Sequence, residues 1–132
     1  MGFMSNVTIL AEPKAYEMII NSIKEYNKTE MVNGYGFEPD MIERSYGDEP
    51  LYTLKWFWVK WYPNFSDVKS VNKVLQILID EHSEEDGYGF KQVIINEDNS
   101  TEEITNMSDL DSYLYVICHS ETNIGPTEEI EM

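Results

Sequence analysis

Two histidines and one cysteine are the residues of this chain best suited to chemistry. His82 stands in DEHSEEDG, among Asp80, Glu81, Glu84, Glu85 and Asp86. An imidazole beside carboxylates can hold a metal or act as an acid–base pair. The spacings fit neither a zinc motif nor the twelve-residue calcium loop with its glycine at position six. The simpler reading is a helix end, where an imidazolium suits the negative pole of the dipole. Cys118 and His119 are adjacent in SYLYVICH. Neighbours on a strand point to opposite faces, so these two do not form a thiolate–imidazole pair. Cys118 alternates with Leu114 and Val116, as a core thiol does. A metal enzyme would need His82 and His119 to meet in one cleft. Without that meeting the expectation is a protein with no catalytic residue, no metal and no cofactor.

The aromatic run LYTLKWFWVKWY raises a different chemistry. Trp56, Trp58 and Trp61, with Phe57 and Tyr62, suit base stacking. That use needs surrounding positive charge, and the chain carries 9 bases against 25 acids, a net charge of −16. Such a surface repels nucleic acid and anionic membranes and attracts basic proteins in a salt-dependent way. Core packing is the ordinary role for these rings; Trp56, Trp58 and Tyr62, if exposed, are anchors for a protein partner. Residues 1–82 hold 12 acids and 8 bases, whereas residues 83–132 hold 13 acids and a single base, Lys91. The acids Glu84, Glu85, Asp86, Glu97, Asp98, Glu102, Glu103, Asp109 and Asp111 thus form the candidate partner-binding set. Carboxylates on adjacent strands, about 4.8 Å apart, approach the spacing of nucleic-acid phosphates.

The elements that would position these residues are legible from periodicity. NVTILAE (6–12) reads as a strand ending at Pro13, which opens a helix over 13–27 with Tyr16, Ile19, Ile20, Ile23 and Tyr26 on one stripe. Residues 35–45 read as a strand weakened by Pro39, and 51–62 as a central strand apolar on both faces. Ser66 is the expected N-cap of a second helix whose buried stripe is Val68, Val71, Val74, Leu75, Leu78 and Ile79. Strands at 88–96, near 101–105 and at 112–119 follow, and residues 121–132 read as an acidic mobile tail.

The tetrad GYGF occurs twice, at 34–37 and 87–90, each time 21 residues after a helix start. A phosphate-binding loop would put glycines at the start of a helix, with a lysine; these glycines close helices among acids. They suit a left-handed exit from the helix and a close approach as the next strand begins. The expectation is one domain over 1–120 with two related halves, about 6–62 and 63–119. Its class is α+β, an antiparallel sheet with two helices on one face and a pseudo-repeated βαββαββ order, which resembles a ferredoxin-like arrangement.

A single cysteine excludes an intrachain disulfide and fits a reducing cytoplasm. No basic-then-apolar leader is visible, and the longest apolar stretch is too short to span a bilayer. In length, acid excess, aromatic density and lack of catalytic motifs the chain resembles small acidic inhibitors encoded by phages and mobile elements. That resemblance implies a non-enzymatic inhibitor or decoy in a host cytoplasm, occupying the basic surface of a nucleic-acid-handling protein. It implies no direct nucleic-acid or membrane binding. The alternative is a self-associating structural or adaptor domain, paired as a homodimer across an exposed edge strand.

Overall fold

In the computed structural model the chain is described over residues 4–30, 38–107 and 127–131. The elements are β1 (Ser5–Ala11), α1 (Pro13–Glu30), β2 (Met41–Ser45), β3 (Tyr52–Val59), α2 (Ser66–Glu81), a 3-10 turn (Glu84–Asp86), β4 (Phe90–Asn96), β5 (Thr101–Thr105) and β6 (Thr127–Ile130). All pairings are antiparallel, in the order β5-β4-β1-β3-β2-β6. The class is the expected α+β, with β3 in the interior of the sheet as its two apolar faces require. The strand expected at 112–119, with Cys118 and His119, lies outside the described residues, as do Asp109 and Asp111.

The C-terminal segment corrects the expectation of a mobile tail. Thr127–Ile130 is an edge strand in register with β2, Ile42 opposite Ile130 and Ser45 opposite Thr127. Thr127 Oγ1 donates to Glu43 Oε2 at 2.8 Å, and Arg44 pairs with Glu128. Acid content and the Gly-Pro pair suggest a solvated tail; backbone pairing to β2 overrides that composition over Thr127–Ile130.

The division into halves also shifts. The recurring unit is strand–helix–strand, β1-α1-β2 and β3-α2-β4. In each, the two strands are separated by one strand of the other unit. Exchanging the units maps the sheet order onto itself, with β5 flanking β4 as β6 flanks β2. The boundary therefore falls before β3, not after residue 62. The second GYGF sits at the entry to β4. Gly87, at φ +89°, makes the left-handed turn after the 3-10 helix. Gly89 exchanges hydrogen bonds with Glu12: its N–H donates to Glu12 Oε1 and its carbonyl accepts the Glu12 N–H, both at 2.8 Å.

The helix face of the sheet is the core. Val7, Ile9, Leu54, Trp56 and Phe90 meet Ile19 and Ile23 of α1 and Val71, Leu75 and Leu78 of α2. The opposite face is buried too. Thr8, Leu10 and Thr53 have no exposure, and Leu10 packs with Val93 and Met107. On that face Lys55 pairs with Glu43 at 2.7 Å and Lys91 with Glu103 at 3.3 Å. The Lys55 ammonium, with a further hydrogen bond from Thr127, holds the Glu43 carboxyl below the usual carboxylate range.

Candidate partner-binding site

Regular alternation along β3 would place Trp56 and Trp58 on the same face. They are separated instead: Trp56 is 2% exposed and Trp58 56%. The cause is a bulge. Ser5 pairs with Val59 but Val7 with Trp56, so β3 carries one residue more than β1 between these pairs. The extra residue is absorbed at Phe57–Trp58, where Trp58 adopts a left-handed backbone at φ 53°. A bulky side chain in that conformation costs on the order of 1–3 kcal/mol.

Two side chains hold the bulge open. Asp40 Oδ2 accepts the Phe57 N–H at 2.7 Å, and Asn6 Oδ1 accepts the Trp58 N–H at 2.8 Å. Both donors that the ladder would have used are satisfied, and both rings face solvent. Phe65 joins them. It occupies the N-cap of α2, where Ser66 had been expected, and its side chain is exposed. The capping work falls inside the helix, where Asp67 Oδ1 accepts the Val68 N–H at 2.7 Å. A phenylalanine at a position that favours Ser, Asp or Asn gives up capping energy. Tyr62, half-buried, meets Phe65 edge to face at 5.2 Å.

The same end of the sheet gathers acids from separate segments. A cavity of about 450 Å³ is lined by the acids Glu38, Asp40 and Asp67 and the base Lys60, together with Trp56, Trp58, Trp61 and Phe65. A neighbouring cavity shares Glu38 and Asp40 and adds Glu129 and Glu131. Glu97 and Asp98 lie at this end as well, because Asn96 pairs with Ser5 and the Glu97 carboxylate accepts the Met4 N–H. Hydrogen bonds from the Ser100 hydroxyl and N–H hold Asp98 below the ordinary aspartate range, and so ionised.

The candidate acids set out from the sequence do not form one surface. Glu84, Glu85 and Asp86 follow α2 at the opposite end of β4 from Glu97 and Asp98. Seven residues of strand separate the two groups, about 20 Å. Glu102 and Glu103 lie between, on opposite faces of β5; Glu102 accepts from Asn96 Nδ2 and Glu103 pairs with Lys91. Trp56 is a core residue, in a tilted contact with Trp61 at 5.0 Å, and is no anchor. Of the expected anchors only Trp58 is fully presented. Phe57, Phe65, Glu38, Asp40 and Asp67 share this end and were not among the expected partner-binding residues. A bulge has no composition signal, and acids scattered through the sequence are joined only by strand pairing.

His82 stacks on Tyr88, ring centroids 4.1 Å apart, and Lys14 Nζ lies 5.4 Å from the Tyr88 centroid. No group of three or more His, Cys, Asp or Glu side chains among the described residues is arranged to hold a metal. No described helix is long and apolar enough to cross a membrane. No protein-family model, curated protein or solved structure matches this chain.

Proposed function

We propose that this chain is a non-enzymatic binding protein whose bulged end occupies a basic surface of a protein partner, one that ordinarily handles nucleic acid. The observation that carries this reading is Trp58: a tryptophan 56% exposed, in a left-handed conformation that disfavours it, in a bulge where Asn6 accepts its N–H and Asp40 accepts that of Phe57. Backbone strain around an exposed aromatic points to use, because a glycine there would relieve it. Trp58, Phe57 and Phe65 supply the anchors. Glu38, Asp40, Asp67, Glu97 and Asp98 supply a carboxylate rim that steers lysine- and arginine-rich surfaces. A partner that binds phosphates has such a surface, and this protein acts there as an inhibitor or decoy.

The test is affinity capture from a host lysate at low and high salt, with the wild type, Trp58→Ala and Asp67→Asn/Glu97→Gln. A nucleic-acid-handling partner held at low salt, released by salt or by heparin, and weakened at least about 30-fold by Trp58→Ala supports the reading. Capture that ignores salt, heparin and both variants defeats it.

A further inference from the structure

A separate cavity, of about 360 Å³, opens between α2 and the β4–β5 edge. Its walls include Trp61, Asn72, Gln76, Gln92, Ile94, Glu102 and Ile104. The anomaly in it is Gln92. One row of side chains crosses the helix face of all six strands: Ile104, Gln92, Ile9, Leu54, Ile42 and Ile130. Five are apolar and one is an amide. Gln92 is 3% exposed, and its Nε2 has no hydrogen-bond partner among the described residues. A buried donor without an acceptor is destabilising, and leucine or isoleucine in this row would remove that penalty. An amide at this place, lining a cavity, is what a ligand's hydrogen-bonding edge requires.

The surrounding groups define that ligand. It must bring an acceptor to the Gln92 amide. It must bring a donor to Glu102, which sits diagonally across the β4–β5 ladder, about 7–8 Å away. Glu102 already accepts from Asn96 through Oε2 at 3.0 Å, and a carboxylate has a second oxygen, Oε1, with which to accept from a ligand. The body between the two ends must be flat and apolar enough for Trp61, Ile94 and Ile104. It must also lack phosphate, since the chain carries −16. We infer that this cleft binds an amino-substituted nucleobase or its nucleoside, of the cytosine type. The O2 and N3 atoms of cytosine accept from Gln92, and its N4 amine donates to Glu102. Gln92 Nε2 is closed to solvent, so binding requires rotation of the Gln92 amide about its soft terminal torsion.

The inference is independent of the partner-binding proposal, although Trp61 lines both cavities. The test uses Trp58→Phe protein, in which Trp56 and Trp61 are the remaining emitters, titrated with cytidine and adenosine. Saturable fluorescence change with cytidine, at least tenfold weaker in Gln92→Leu and several-fold weaker in Glu102→Gln, supports the inference. Cytidine monophosphate at low salt binds more weakly than cytidine. Gln92→Leu folds with a midpoint of denaturation equal to or above that of its parent, so its loss of binding is not a loss of structure. An absent response to both nucleosides at millimolar concentration, or unchanged affinity in Gln92→Leu, overturns it, as does equal affinity for the monophosphate.

Discussion

The two ends of the sheet are both acidic, and they are built differently. At the end where β1 finishes and β4 begins, the backbone follows local preference, although Tyr46 is 63% exposed there. Glu12 and Gly89 exchange two hydrogen bonds, Gly87 takes the positive φ, and Phe90 is fully buried. At the other end the positive φ falls on a tryptophan, the N-cap on a phenylalanine, and three aromatic rings face water. Net charge does not tell the ends apart. Departures from local preference do, because a residue kept against its own conformational preference is kept for what it contacts.

The sharpest way to break this contrast is to damage the stable end. Phe90→Ala leaves a cavity in the core and should cost about 3–5 kcal/mol, read as a lower midpoint in urea. A loss under about 1 kcal/mol would mean that this end does not anchor the core. Glu43 gives the next effect. Its carboxyl is depressed by Lys55, so the stability it contributes is present above about pH 4.5 and is lost as pH falls through its folded value. Glu43→Gln leaves the 12%-exposed Lys55 without its ion-pair partner. It should cost about 1–3 kcal/mol at neutral pH and flatten the fall in stability as pH drops below about 4.5. An unchanged pH profile would remove the pair from the account.

At the bulged end the predicted effects are smaller and partly reversed in sign. Asn6→Ala removes the acceptor of the Trp58 N–H and should cost about 1 kcal/mol. Amide exchange at Trp58 should rise with it; exchange as slow as in the wild type would show that the hydrogen bond does not hold the bulge. Trp58→Gly should be neutral or stabilising by up to about 1 kcal/mol, since glycine takes φ 53° without strain, while partner capture is lost. A clear destabilisation by Trp58→Gly would place this residue with the stable end and end the contrast.

Much of the scaffold was readable from spacing. Pro13 and the Tyr16–Ile23 stripe gave α1, and the Val68–Leu78 stripe gave α2. The aromatic and β-branched run gave β3 its interior place. The failures share one cause. Phe65 at an N-cap, Trp58 at positive φ and the strand at 127–130 each go against local preference, and local preference is what sequence reading measures. The candidate site was less legible than the fold. Glu84–Asp86 and Glu97–Asp98 are near in sequence and far apart along β4, whereas Asp40, Asp67 and Glu97 are distant in sequence and meet at one end.

By itself the sequence determined the charge, the class and the order of elements as far as β5, because periodicity and composition act over a few residues at a time. Which tryptophan faces water, which acids share a surface and which polar side chain lies in an apolar row were decided by strand register. A single extra residue in β3 shifts every side chain beyond it, and that shift exists only once β1 and β3 are paired.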